Sequence, residues 1–260
     1  MVDGSTTRRN MLIRGIAALG ALSLGGCDRI IRSHFAQKAF SGVDGLNRTT
    51  QEALLDRNSL APEYTKKDLS SFFYANGNTD PDNEDYKKMV AEGFASYELV
   101  VDGLVEHPLR LSLAELRALP SRTQITRHDC VEGWSCIGQW TGAPLQAILE
   151  KAVVKPSARY VLFHCFDTMD DGAFTGPTPF YGTIDLEAAR HPQTILAYEM
   201  NGETLPVKYG APLRVRVERQ LGYKMTKYIK RIELVEDFTH IGGGKGGYWE
   251  DNGYQWYAGI

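Results

Sequence analysis

Cysteine is scarce in this chain: Cys27, Cys130, Cys136 and Cys165 are the four among 260 residues. Four are too few to staple a chain of this length as a disulfide scaffold. Even with His128 and His164 nearby, they lack the paired short spacings of a closed zinc site. Basic charge is not in excess either. The 29 Lys and Arg against 32 Asp and Glu leave a net charge of −3, which argues against a nucleic-acid-binding face. No apolar run reaches the roughly 20 residues that cross a bilayer. Internal repeats are missing, and Gly and Pro are too few for a disordered chain. The run Gly242-Gly243-Gly244-Lys245-Gly246-Gly247 lacks the Ser or Thr that a phosphate loop needs after its lysine. What remains is one domain of moderate size plus appendages, and 43% hydrophobic residues are enough to give it a core.

The N-terminus accounts for one cysteine. Thr7-Arg8-Arg9-Asn10-Met11-Leu12 is a twin-arginine signature, and the short small-residue run from Gly15 to Gly26 fits a signal segment. Leu24-Gly25-Gly26-Cys27 resembles a bacterial lipoprotein cleavage box, and Asp28 resembles a signal for retention at the inner membrane. The expectation is a signal over 1–27, export by the twin-arginine translocase, and a lipid anchor on Cys27 at the periplasmic face of the inner membrane. An uncleaved helix or cleavage elsewhere is the alternative. Twin-arginine export carries folded proteins, often with a cofactor already loaded. Residues 28–69 are polar and weakly patterned and read as a tether, with a helix over Leu46 to Arg57.

The domain is expected over 70–260. Tyr97 to Val101 reads as a strand turned by Asp102-Gly103. Leu109, Leu111 and Leu113 alternate, and Ser112 with Glu115 makes a capping box for a short helix stopped by Pro120. Gln124 to Arg127 reads as extended. Pro144 opens a helix whose Leu145, Ile148, Leu149 and Ala152 share a face. Further strands are expected at Arg159 to Cys165, Ile195 to Met200 (closed by Asn201-Gly202) and Tyr228 to Val235. Leu213, Val215 and Val217 form one strand face, which puts Arg214 and Arg216 together on the other. On residues alone the arginine face is either solvated or an anion site. Many short strands with few short helices make an α+β domain with mixed sheets.

The stretch that organises the chain is Arg127-His128-Asp129-Cys130-Val131-Glu132-Gly133-Trp134-Ser135, followed by Trp140-Thr141-Gly142-Ala143-Pro144-Leu145. A thiolate on a loop between a strand and a helix suits a thiophilic metal, and Arg127 with a charged His128 would lower the thiol's pKa. A buried free cysteine and a Cys130–Cys136 disulfide are the competing readings. Trp134 and Trp140 read as packing.

This motif resembles the molybdenum-ligand segment of the sulfite oxidase-type molybdopterin enzymes, in the bacterial branch that includes periplasmic methionine sulfoxide reductase. Val101-Asp102-Gly103-Leu104-Val105, Leu196-Ala197-Tyr198-Glu199-Met200-Asn201-Gly202, Gly210-Ala211-Pro212-Leu213-Arg214 and Gly222-Tyr223-Lys224 with Lys227 extend the match over about Phe72 to Val235, in family order.

The resemblance implies Mo-molybdopterin, with Cys130 as the protein's molybdenum ligand beside the pterin dithiolene. It implies cofactor contacts from Tyr74, Asn76, Cys165, Tyr209, Arg214, Gly222, Tyr223, Lys224 and Lys227, while His128 either contacts the cofactor or is a satisfied core histidine. Glu132 is a candidate proton relay, or a hydrogen-bonding brace for the loop. The implied activity is a two-electron oxygen-atom transfer on a small sulfoxide- or sulfite-like substrate. A Val-Glu-Gly-Trp sequence after the cysteine, where sulfite oxidases are arginine-rich, weakens sulfite. No haem or iron–sulfur motif is present, so electrons are expected from a membrane or periplasmic cytochrome. A monomer without a C-terminal dimerisation domain is expected. The aromatic tail (Tyr248, Trp249, Tyr254, Trp256, Tyr257) either covers the active site or docks the electron partner, or else packs on its own domain. Two other readings stay open: an anchored assembly lipoprotein that keeps the fold without the chemistry, and a redox protein working through the Cys130–Cys136 pair.

Overall fold

The computed structural model describes residues 46, 49, 50, 59–169 and 177–260. The twin-arginine sequence and Cys27 lie outside them. Of the helix expected over Leu46 to Arg57, the described Leu46, Thr49 and Thr50 are helical. The description below concerns the compact unit Leu55–Ile260.

Among the described residues this unit holds ten strands and five short α-helices. The strands are β1 Glu98–Gly103, β2 Leu109–Ser112, β3 Arg122–Asp129, β4 Ser135–Pro144, β5 Tyr160–Met169, β6 Thr178–Asp185, β7 Ile195–Met200, β8 Glu203–Thr204, β9 Arg214–Arg216 and β10 Ile229–Val235. The helices are α1 Glu84–Ala91, α2 Leu113–Ala118, α3 Leu145–Ala152, α4 Leu186–Arg190 and α5 Tyr248–Asp251. One five-stranded sheet has the order β2-β1-β10-β5-β6, and the other runs β3-β4-β7-β8 with β9 paired to β7. The β1–β10 pair is parallel and the other named pairs are antiparallel. The α+β reading with mixed sheets therefore holds.

Strand alternation sorts apolar residues into three packed layers. Val161 and Phe163 of β5, Ile232 and Leu234 of β10, and Leu196 and Tyr198 of β7 fill the central core with α3's Leu145, Ile148 and Leu149. Ile195 and Ala197, on the opposite face of β7, join Phe73, Cys136 and Trp140 in a second cluster. Leu162 and Val235 face a third with Tyr181 and Tyr248. Because β7 is covered on both faces, Ile195-Leu196-Ala197-Tyr198 is apolar without alternation.

Local signals fare well. Ser112 caps α2, with its hydroxyl accepting from Glu115 N and Glu115 answering at Ser112 N. Asn201 and Gly202 both take positive φ (55° and 85°), as a tight hairpin between β7 and β8 requires. Three expectations fail. Asp102-Gly103 is not the hairpin turn: Gly103 ends β1, where a β-carbon would strike the Leu234 carbonyl. The cysteine loop does not lead into a helix, since all of β4 intervenes. From Ser59 onward the expected tether is part of the domain, with Ala61 bonded to Gln193 and Tyr64 N donating to Ile125 O. Helices α1 and α4 and strand β6 carry no sequence expectation at all.

Candidate functional site

Strand β3 delivers His128 and Asp129 to a tight connection, and β4 leaves from Ser135, the partner of Asp129. Cys130 N donates to Trp134 O (3.0 Å), and Gly133 N donates to Cys130 O (3.0 Å). The loop is thus Val131-Glu132-Gly133. Gly133 takes φ +90°, the left-handed residue that ends such three-residue hairpin loops. Cys130 sits at the first corner, half-buried, with its sulfur free. Below it, Asp129 ties the hairpin by accepting from Arg127 Nε (2.9 Å) and Ser135 Oγ (2.5 Å). Glu132 accepts from Trp134 Nε1 (2.9 Å), a hydrogen bond within the loop.

Cys130 opens onto a cleft. Six of the expected site residues line it: Asn76, Cys130, Glu132, Gly222, Tyr223 and Lys227. The other six do not. Tyr74 is largely exposed and leans on Trp134 (5.3 Å between ring centroids). His128 is fully buried directly behind Gly222, where a β-carbon would collide with its Nε2. Cys165 is buried within β5. Tyr209 donates its hydroxyl to Phe73 O (2.7 Å). Arg214 is buried beside the second core, and Lys224 is buried in an ion pair with Glu250.

The cleft also gathers residues with no sequence expectation, Asp167 and Thr226, and two aromatics of the tail, Trp249 and Tyr254. The tail does pack on its own domain. Trp249 stacks on Tyr254 (5.2 Å), Tyr223 donates to Gln255 O (2.6 Å), and Trp256 Nε1 donates to Thr183 Oγ1 (2.8 Å). Through Trp249 and Tyr254 it is also one wall of the cleft. The hydroxyl and carboxyl groups of Thr226 and Asp167 carried no readable signal, because β5 and the chain before β10 meet only in the fold.

Electrostatics correct one expectation. The Cys130 thiol is not lowered: burial raises it, and the Glu132 carboxylate adds to the rise against two backbone hydrogen bonds. Arg127 is spent on Asp129 at the exposed edge. His128 is held neutral by burial first and then by Arg216, Arg214 and Lys227. Nor are the two arginines of β9 solvated. Arg214 and Arg216 are fully buried, stacked on the Trp140 ring at 4.9 and 4.5 Å. Cys136 points its sulfur at Phe72 O (3.6 Å) within the second core, away from the thiol of Cys130 in the cleft.

The cofactor implied by the resemblance fits these groups. Arg216 has Glu218 as counter-ion, but among the described residues Arg214 and Lys227 form no ion pair. Arg214 donates only to the carbonyls of Tyr209 (3.0 Å) and Met225 (3.4 Å), and its Nε is buried without a partner. Lys227 donates to Asn76 O (2.6 Å) and Asn78 O. Burial, then the nearby guanidinium, pulls Lys227 down to about 7; burial, then Arg216, pulls Arg214 down to about 9. Two buried cations with no carboxylate in ion-pair contact favour an anion, and the phosphate and dithiolene of a pterin would supply one. His128 Nε2 and Thr226 Oγ1 are further buried, unpartnered polar atoms beside the same cleft.

The family described as "Oxidoreductase molybdopterin binding domain" matches residues 87–240. A provisionally named protein-methionine-sulfoxide reductase subunit, YedZ1, of Azospira oryzae is 36% identical over 252 residues, 97% of this chain and 87% of that one. The protein-methionine-sulfoxide reductase catalytic subunit MsrP of Gluconobacter oxydans is 31% identical over 239 residues, covering 88% of this chain and 69% of its own. Among solved structures, the sulfane dehydrogenase SoxCD of Paracoccus pantotrophus superposes with a TM-score of 0.47 and 22% identity, over 55% of this chain and 39% of that one.

Proposed function

Because the chain belongs to the sulfite oxidase-type molybdopterin-binding oxidoreductases and is a molybdenum-dependent enzyme carrying Mo-molybdopterin, we propose that it reduces a small sulfoxide by oxygen-atom transfer in the Cys130 cleft. The observation that carries the proposal is the coincidence of a free cysteine sulfur and the buried Lys227 in one cleft, with the buried Arg214 beside that lysine and neither cation in an ion pair. Mo-molybdopterin, when bound, supplies the two-electron oxygen-atom chemistry. Cys130, as a thiolate, would hold the metal. Arg214, Lys227 and the Gly222-Tyr223 backbone would hold the pterin and its anionic groups. Trp249 and Tyr254 exclude water on the tail side.

A sulfoxide takes up two electrons and two protons and leaves as a thioether and water. Glu132 lines the cleft and, besides bracing Trp134 through its carboxylate, is the candidate to hand on a proton. Sulfoxide is favoured over sulfite by the relatives' names and by a motif that lacks an arginine-rich run after Cys130. Electrons reach the site from a cytochrome at the membrane. Export by the twin-arginine route and a lipid anchor on Cys27 would keep the enzyme beside that partner, with 28–58 as the spacer. A lipoprotein that keeps the fold without the chemistry finds no support in relatives named as reductase subunits.

The test is elemental analysis of protein made with a working twin-arginine pathway, next to Cys130→Ala. About one molybdenum per chain, lost in the variant, is expected, with turnover of a sulfoxide by reduced dye. Folded wild-type protein that holds no molybdenum would overturn the assignment.

A further inference from the structure

Behind the cleft lies a chain of buried polar groups that the proposed reaction leaves unused. Gln124 of β3 donates its Nε2 to Glu218 Oε1 (2.8 Å). Glu218 grips Arg216 with both oxygens, accepting from Nε (2.9 Å) and Nη2 (2.6 Å), and neither side chain has any exposed surface. The remaining arm, Arg216 Nη1, lies 2.9 Å from His128 Nδ1. His128 is fully buried, stacked on Trp134 at 5.5 Å, and its Nε2 has no partner.

A guanidinium has only donors. Nδ1 of His128 must therefore accept, and any state with a proton on Nδ1 would set two donors against each other at 2.9 Å. The ring proton is left on Nε2. This nitrogen abuts the bare Cα of Gly222, a residue that lines the cleft. A buried N–H without an acceptor is costly, so this donor calls for an acceptor from outside the chain.

We propose that Arg216, pinned by Glu218 and Gln124, is a positioning residue that locks His128 as its Nε2–H tautomer, a dedicated donor to one acceptor atom of the bound pterin cofactor beside Gly222. The donor's partner rests on the cofactor reading given above; the lock does not. Arg216 acts on the cofactor only through the histidine. Of the two arginines of β9, one thus meets the anion directly and the other sets a neutral donor.

The experiment has a readout that packing alone would not move. Long-range nitrogen–proton correlation spectra of ¹⁵N-histidine-labelled, cofactor-free full chain report which ring nitrogen of His128 carries the proton. Protonated Nε2 with bare Nδ1 is expected in the wild type; a proton on Nδ1, or a mixture of tautomers, would overturn the lock. Arg216→Met should scramble the signature and Arg216→Lys restore it. Glu218→Gln, which keeps the guanidinium, serves the same end should Arg216→Met not fold.

In loaded protein the Nε2–H resonance should shift. Cofactor retained through dialysis, measured as oxidised pterin fluorescence, should fall by about 2- to 10-fold in Arg216→Met, the equivalent of one hydrogen bond. Loaded wild type with an unmoved Nε2–H would refute the donor role. A correct tautomer in wild type that takes up no molybdenum would instead refute the cofactor reading and leave the lock standing.

Discussion

Replacing Glu250 by glutamine removes one charge from a pair buried almost completely, with side-chain exposures of 2% for Lys224 and 4% for Glu250. Breaking a buried pair from one side costs about 3–5 kcal/mol, because the remaining charge keeps its desolvation and loses its compensation. Two features pull the value toward the lower end. Glutamine still offers a carbonyl to accept from Lys224 Nζ, and Lys224 keeps its contact with the Trp256 ring at 5.1 Å. Burial, the largest influence on Lys224, already lowers its pKa against the pull of Glu250, so without that carboxylate the amine sheds its proton more readily. We therefore expect a loss of ~3 kcal/mol, which for a unit of this size lowers Tm by roughly 6–12 °C.

The assay is urea unfolding of cofactor-free protein at neutral pH, with the slope required to stay constant so that the midpoint reports stability. The double variant Lys224→Met/Glu250→Leu removes both charges and should recover to within ~1 kcal/mol of wild type. A loss below ~1 kcal/mol in Glu250→Gln would refute the claim that α5 is latched by this pair. The double variant also decides what Lys224 is for. If the lysine only anchors the tail, the stable double variant keeps its pterin; if it also reaches the cofactor phosphate, stability returns while cofactor content does not.

Lys227 makes stability depend on pH. Its folded pKa of about 7 lies below its ordinary 10.5, so between these values the unfolded chain binds more protons. Cofactor-free protein should therefore grow more stable as pH rises from about 7 toward 10; Lys227→Met should remove that part of the slope, and bound cofactor should flatten it. A wild-type slope no steeper than the variant's would contradict the burial argument. Gly222→Ala pushes a methyl group into His128 and should cost ~1–3 kcal/mol while cutting pterin content, whereas Gly202→Ala, whose β-carbon meets nothing, should leave pterin unchanged. Ser112→Ala breaks the capping box of α2 and should cost ~1 kcal/mol, read as a Tm loss of ~2–4 °C.

What the sequence made legible was local. Ser112 and Glu115 are three residues apart, Asn201 and Gly202 adjacent, and the apolar face of α3 repeats within two turns, so the interactions that form these elements are written side by side. The misses were elements whose reasons lie elsewhere. Strand β4 carries two glycines for contact: a β-carbon at Gly142 would strike Leu196 of β7, and one at Gly138 would crowd Phe73. Read alone, those glycines look like breakers. Strand β6 holds Pro179 and Gly182, and Gly182 faces Thr226, more than forty residues on. Helix α1 buries one residue, Tyr86, whose hydroxyl donates to Ala211 O (2.7 Å) across 125 residues.

The site divides along the same line, and the division explains why its charges were misjudged. Period-two alternation places Arg214 and Arg216 on one face of β9, opposite Leu213, Val215 and Val217, and that much the structure keeps. Alternation cannot say what covers the face. Here Trp140 covers it from β4, Glu218, itself held by Gln124, satisfies Arg216, and two carbonyls hold Arg214. The cover changes the chemistry. On a solvated strand two arginines would be interchangeable point charges. Enclosed, one is neutralised by Glu218 and passes on only its hydrogen-bond direction through His128, while the other keeps an uncompensated charge and an idle Nε. The sequence lists the donors; the fold decides which of them are spent within the chain and which are left for a ligand.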